Sequence, residues 1–343
     1  MRRRSVALQD STTAHLRQAH RRGTVTSDLL KDKALAIGIA SSALFDLAQS
    51  DEIFREQGVK AYERYQNDHI DEPFQPGVAF PFISRLLRFN DLFDDRHKGV
   101  EVIVLSRNSP KTGLRVMNSI EHYHLGITRA VFRGGRSTFP FMDVFNMSLF
   151  LSANAQDVDA AVAAGQPAGC VLPYSATDAD DEGNELRVAF DFDGVLAGDS
   201  AERNFRRMQQ EDPDNALEQY AEYEREHADQ PIEGGPLKRL LAGINTLQEA
   251  AARSTMEDKP SLRVYLVTAR NAPAHKRAVQ TLEQWGLTVD EAFFLGGLDK
   301  TEVLNKLSPH IFFDDQLSNL SARSLHIPAV HIPFGVTNGR NDS

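Results

Sequence analysis

Apolar residues recur along this chain in two rhythms. Short unbroken runs, VIVL within Val100–Pro110, RVYLVT within Leu262–Pro273 and HIFF at His310–Phe313, have the pattern of parallel strands buried on both faces. Between such runs the apolar positions fall at helical spacing. In KRAVQTLEQWGL, Ala278, Val279, Leu282 and Trp285 share one helical face, and Gly286 stands where the helix should stop. Strand and helix alternate in this way almost throughout, which predicts an α/β protein built on open, doubly wound parallel sheets.

The pattern also repeats. Val100–Pro110 (VEVIVLSRNSP) reads like Leu262–Pro273 (LRVYLVTARNAP), and setting Ser106 against Thr268 gives an offset of 162 positions that then runs on without a gap. It sets Ile120 against Leu282, Tyr123 against Trp285, Leu125 against Leu287 and Gly134–Gly135 against Gly296–Gly297. Ser148–Asn154 (SLFLSAN) falls on His310–Gln316 (HIFFDDQ) at the same offset. Upstream, ALAIGIASSALF resembles RVAFDFDGVL, and EPFQPGVAFPFISRLL resembles QPIEGGPLKRLL, with altered spacing. The expectation is an internal duplication. A basic extension over 1–30 would precede a first half at 31–174, and an acidic linker at 175–185 would lead to a second half at 186–343.

Composition narrows the partners. With 343 residues, 41% of them apolar and 25% charged, the chain has the make-up of a soluble globular protein with room for two cores. A formal charge of −10 argues against nucleic acid or an anionic membrane as partner, while a small anionic substrate is compatible with it, because local charge can oppose the net. The single cysteine, Cys170, excludes an internal disulfide and reads as a buried, inert thiol. The basic first residues lack the apolar stretch of a secretory signal, and no later run is long enough to span a bilayer. The expected location is the cytoplasm.

Candidate chemistry lies where strands end, because in a parallel sheet the residues after the strands face one crevice. In the second half those positions hold Asp191 and Asp193, Thr268, Lys300, and the pair Asp314–Asp315. Carboxylates so close repel one another unless a divalent cation sits among them, and an all-oxygen set with room for water and phosphate suits Mg²⁺ better than zinc. His122 and His124 point apart at helical spacing and read as surface or packing residues rather than ligands.

The D-x-D-G-V motif, then a strand-end Thr, then Lys, then a DD pair, in that order, resembles the haloacid dehalogenase (HAD) superfamily of phosphotransferases. Longer stretches, among them RVAFDFDGVLAGDSAE, HADQPIEGGPLKRLL, WGLTVDEAFFLGG and, in the first half, EQGVKAYERYQNDHIDEPFQPGVAFPF, resemble the cytosolic 5′-nucleotidase I family. That resemblance implies two HAD-like doubly wound halves, the second with a small helical cap at about 199–235, and a Mg²⁺-dependent hydrolysis of nucleoside 5′-monophosphates, AMP or deoxynucleotides, through an aspartyl phosphate. Carried onto this sequence, it makes Asp191 the nucleophile and Asp193 the acid and base. Thr268 and Lys300 would bind phosphate, and Asp191, Asp314, Asp315 and the backbone carbonyl of Asp193 would hold the metal.

In the cap, Phe205, Tyr220 and Tyr223 are candidates to stack on a base or to pack the cap, and Arg203, Arg206 and Arg207 to meet phosphate or solvent. Asp199 and Ser200 match family positions but also suit a helix cap. The first half has Ala40 and Ser42 opposite Asp191 and Asp193, Thr138 opposite Lys300, and Ser152 and Ala153 opposite the DD pair, so it should be catalytically silent. Packing against the active half, completing its pocket and binding a regulatory nucleotide are the roles left to it. Two alternatives stand beside the nucleotidase: a phosphatase for another small phosphomonoester, and an inactive nucleotide-binding regulator. A homo-oligomer is left open.

Overall fold

Ten strands join into a single sheet in the computed structural model, which describes residues 33–94, 99–174, 183–321 and 323–339. The basic extension at 1–30 and residues 175–182 of the acidic linker lie outside the described residues. The strands are β1 (Leu35–Ile39), β2 (Val100–Ser106), β3 (Arg129–Phe132), β4 (Leu149–Ser152), β5 (Ala168–Val171), β6 (Glu185–Phe190), β7 (Ser261–Thr268), β8 (Glu291–Phe294), β9 (Ile311–Asp314) and β10 (Ala329–His331). Their order across the sheet is β3-β2-β1-β4-β5-β10-β9-β6-β7-β8. Every pairing is parallel except that of β5 with β10.

Two separate sheets were the natural expectation from the pattern; instead the halves share one, sewn along β5 and β10, where Val330 lies opposite Val171 and His331 opposite Cys170. Gly169 permits that seam, since a side chain there would meet Val330 at 2.4 Å. The order β3-β2-β1-β4-β5 recurs as β8-β7-β6-β9-β10. Because the seam is antiparallel, the strands of one half run opposite to those of the other. The strand-end residues of the first half, Ala40, Ser106 and Ser152, therefore sit at the opposite end of the sheet from Asp191, Thr268 and Asp314, and cannot complete the pocket there.

Alternation along each strand divides the core by face. Leu35, Ile37 and Ile39 of β1, Val188 and Phe190 of β6 and Phe313 of β9 belong to one apolar cluster that runs across both halves. Ile103, Leu105 and Phe150 face the other way in a cluster of the first half alone, and Ala189, Tyr265, Val267 and Phe312 in a cluster of the second. The shared face is covered reciprocally. Helix Phe80–Leu87 packs on β2 and also on β6, while helix Lys238–Arg253 packs on β7 and also on β1. Gly243 brings that second helix close, because a Cβ there would meet the carbonyl oxygen of Ala34 at 2.6 Å.

The segment expected to form the cap holds helices Ser200–Glu211 and Ala216–Glu226, separated around Pro213. In helix Ala274–Trp285, Ala278 and Leu282 are buried and Gly286 ends the helix at φ +67°, but Val279 is 40% exposed. One position past Ala278, it has turned about 100° from the buried stripe. Cys170 is buried, and burial pushes its thiol up to about 11.

Candidate active site at the strand ends

The β6–β7 register, Phe190 beside Leu266, and the β6–β9 register, Phe190 beside Phe313, end the three strands at a common rim. Asp191 follows β6 directly. Its backbone N–H donates to the carbonyl of Phe313 (2.8 Å), and its Oδ1 accepts from the N–H of Phe192 (2.7 Å). Asp314 closes β9 and is fully buried; Oδ1 accepts from the N–H of Gln316 (2.8 Å), and Asn319 Nδ2 donates to both oxygens (3.1 and 3.0 Å). Lys300, also buried, lies between the two, with Nζ 2.7 Å from Asp314 Oδ2 and 3.1 Å from Asp191 Oδ1. No described residue donates to Asp191 Oδ2. Thr268 ends β7, buried, and its Oγ1 accepts from the N–H of Arg270 (3.3 Å).

Asp315 completes the cluster. One carboxylate oxygen from each of Asp191, Asp314 and Asp315 lies within 4.8 Å of the others. Asp315 Oδ1 is buried without a hydrogen-bond partner. The turn after Asp193 passes so near that a Cβ on Gly194, at φ +73°, would stand 2.7 Å from the Asp315 carboxylate carbon. Burial, then the charges of Asp191 and Asp314, push the Asp315 carboxyl up to about 9. Burial also raises Asp191, to about 7, with Lys300 working against the rise. For Lys300, burial opposes the charge, yet the two carboxylates outweigh it and hold its pKa above the ordinary value. Three hard oxygen donors with an unsatisfied buried oxygen fit a divalent cation of the Mg²⁺ or Ca²⁺ type.

Asp193 is not part of that triad. Its carboxylate is gripped bidentately by Arg270, Nε to Oδ2 at 2.7 Å and Nη2 to Oδ1 at 2.8 Å. Arg270 is itself buried and reaches Glu224 of the cap (2.7 Å) and the carbonyl of Ala274 (3.1 Å). Sequence reasoning singled out neither Arg270 nor Glu224. The one available signal was the offset of 162, which sets Arg270 opposite the neutral Asn108.

The cap candidates pack among themselves. Phe205 and Tyr220 meet edge to face at 5.5 Å, and Tyr223 stacks on His227 at 4.0 Å. Arg203 pairs with Asp199 (2.6 Å), Arg206 with Glu202 (2.7 Å), and Arg207 is exposed. Asp199 stands at the N-cap position of its helix, but its Oδ2 accepts from the N–H of Val336 (2.8 Å) instead of capping; Ser200 donates to Glu233 (2.9 Å). His122 and His124 are both exposed. A cleft of about 350 Å³ opens away from this rim, in the first half, beside Asp46, Tyr65, His69, Glu72 and Arg115. The acidic cluster, rather than that cleft, is where the chemistry-bearing side chains converge.

The molecule is thus an α/β protein with an acid-rich, lysine-bridged centre at the ends of parallel strands. A family model described as 5′-nucleotidase matches residues 27–339, and the chain belongs to that family. Human cytosolic 5′-nucleotidase 1B is 32% identical over 292 residues, covering 84% of this chain and 47% of the human protein. The chain therefore spans about half the length of that curated relative. The cytosolic 5′-nucleotidase I resemblance read from the motifs agrees with both findings. A crystal structure of histidinol dehydrogenase from Elizabethkingia anophelis overlaps at 9% identity with a TM-score of 0.18, over 86% of this chain and 79% of that one, too low to describe this fold. Among the described residues no helix is long and apolar enough to cross a membrane.

Proposed function

We propose that the chain is a Mg²⁺-dependent 5′-nucleotidase that hydrolyses nucleoside 5′-monophosphates through an aspartyl phosphate on Asp191. The observation that carries the reading is Asp191 itself: Oδ1 is tied to Phe192 and Lys300, while Oδ2 is left without a donor and able to attack. In the first step an Asp191 oxygen forms a bond to phosphorus, the bond from phosphorus to the nucleoside O5′ breaks, and Asp193 gives that oxygen a proton. In the second, Asp193 takes a proton from water, the water oxygen bonds to phosphorus, and the Asp191–phosphorus bond breaks. Lys300 and Thr268 hold the phosphoryl oxygens, and the lysine also tempers repulsion between phosphate and the acid cluster. Asp191, Asp314 and Asp315 would hold the cation, which when bound would neutralise charge on the phosphoryl group.

The cap closes over this rim and limits water. The halves are read as two copies of one unit, supported by the repeated strand order and by the offset of 162 that holds from Ser106 to Asn154, with the first copy silent. A cytoplasmic location belongs to the same reading. Phosphate release from a panel of nucleoside 5′-monophosphates and sugar phosphates, with Mg²⁺ and with a chelator, tests it. Mg²⁺-dependent release favouring nucleotides is expected, and equal turnover of all monoesters would turn the assignment to a general phosphatase.

A further inference from the structure

Behind Asp193 lies a buried ionic cluster that the reaction scheme leaves unused. Glu224, on cap helix Ala216–Glu226, is fully buried, and its two oxygens are shared between two arginines of the core. Oε2 accepts from Arg270 Nη1 (2.7 Å) and Oε1 from Arg277 Nη1 (3.0 Å). Arg277 also donates from Nε to the carbonyl of Gln230 (2.9 Å), and its guanidinium lies 5.6 Å from the centre of the Tyr223 ring. Two arginines around one glutamate leave a positive charge unbalanced, and the Asp193 carboxylate supplies the balance through its two-point pair with Arg270.

The first half contains the same seat with a single charge, that of Arg115. On helix Ala48–Asp68, Gln66 stands in place of Glu224 and its Oε1 accepts from Arg115 Nη1 (3.2 Å). Arg115 donates from Nε to the carbonyl of Glu72 (2.8 Å) and lies 5.7 Å from the Tyr65 ring. Tyr65 meets His69 at 4.1 Å as Tyr223 meets His227 at 4.0 Å, and in both halves the histidine Nδ1 is 2.8 Å from the tyrosine carbonyl. Where Arg270 would be there is Asn108, which accepts from the Tyr62 hydroxyl (2.7 Å), and where Asp193 would be there is Ser42.

This pair of seats is an internal control. An arginine over a tyrosine, bonded to a backbone carbonyl and to one side-chain oxygen from the outer helix, is common to both and is sufficient to dock that helix on the core. Arg270 and the charge on Glu224 are the parts missing from the half that also lacks the aspartates. Burying charged side chains costs several kcal/mol per ion before pairing offsets it, and the first-half seat does the docking with Arg115 as its one charge, whereas the second half adds Arg270 and Glu224. The charged parts therefore go with the chemistry.

We infer that Arg270 is a positioning residue that fixes the plane and direction of the Asp193 carboxylate, and that Glu224 holds Arg270 in that pose from the cap, so that the acid–base group is aligned when the cap is seated. The inference rests on the reading of Asp193 as the acid and base of the reaction. A planar guanidinium gripping both carboxylate oxygens defines an orientation that a lysine or an amide would not.

Steady-state phosphate release from a nucleoside 5′-monophosphate by the full chain with Mg²⁺ tests it, using Arg270→Gln and Glu224→Gln, each alone and combined with Asp193→Asn. Arg270→Gln is expected to lower kcat by about 10²-fold and Glu224→Gln by about 10-fold, with KM within about threefold. In the Asp193→Asn background each should change kcat by less than about threefold, because a residue acting through Asp193 has nothing left to orient. Glu224→Gln leaves two buried arginines to share the Asp193 carboxylate, so its melting temperature should fall. Arg270→Lys, which keeps the charge but not the two-point grip, decides the matter if Arg270→Gln fails to fold: a loss of kcat that vanishes in the Asp193→Asn background supports the inference, and a wild-type kcat overturns it. Losses that simply add to that of Asp193→Asn, or that appear only in KM, overturn the inference while leaving the reaction scheme standing. A fully active Asp193→Asn, or a wild type that releases no phosphate from any monoester, removes the scheme and the inference with it.

Discussion

Asp315 sets the charge balance of the rim, since it is the acid whose buried oxygen has no partner and whose carboxyl is pushed furthest toward neutrality. A carboxyl near 9 in the folded chain and near 4 when unfolded binds more protons in the native state across that interval. Without a divalent cation, the contribution of Asp315 to stability should be fully present below about pH 4 and should be lost as pH rises toward 9. Saturating Mg²⁺ should flatten the slope and raise the melting temperature more at pH 8.5 than at about pH 6, because ionised carboxylates bind it better. Calorimetry across that range with Mg²⁺ and with a chelator gives the answer, and an upward slope in chelator would contradict this account of Asp315. Asp191→Asn should lower turnover by at least about 10³-fold. In chelator its melting temperature should hold or rise, since a neutral isostere relieves a buried charge. Asp191, Asp314 and Asp315 were legible in the sequence because strand ends of a parallel sheet converge whatever the intervening chain does. Arg270 and Glu224 were not: they lie 46 residues apart and meet by a cap folding back, which no local pattern records.

At the scale of elements, the turn following β6 is tightly constrained. Gly194 combines a left-handed backbone with a Cβ position 2.7 Å from the Asp315 carboxylate. Gly194→Ala should cost about 1–2 kcal/mol in backbone strain alone and should also push Asp315 out of the cluster. The expected result is a lower melting temperature together with a weakened response to Mg²⁺; a variant with wild-type Mg²⁺ response would show that Asp315 does not need its present place. Periodicity read the helices well where one stripe meets the core, as with Ala278 and Leu282, and erred at Val279, whose turn of the helix faces outward. The cap aromatics could not be resolved from sequence, because stacking on a base and packing on Tyr220 or His227 ask for the same residue types.

For the whole molecule, the face shared by both halves matters more than the seam. Phe82 of the first half meets Phe313 of the second edge to face at 6.3 Å, and both belong to the apolar cluster that spans the sheet. Segment 183–343 expressed alone would expose that cluster and lose helix Phe80–Leu87 from β6. It should fail to give a cooperative thermal transition, whereas the full chain should melt in one; a stable, active segment 183–343 would mean that the first half is dispensable. Neither the joint sheet nor this exchange of helices was readable beforehand, since strand runs reveal their own burial and not which neighbour supplies it. The outermost strands, β3 and β8, have four residues each and are only partly covered. With every longer strand enclosed between neighbours, the sheet offers little template on which another chain could add a strand, so the ten-stranded arrangement resists growth into aggregates at its two margins.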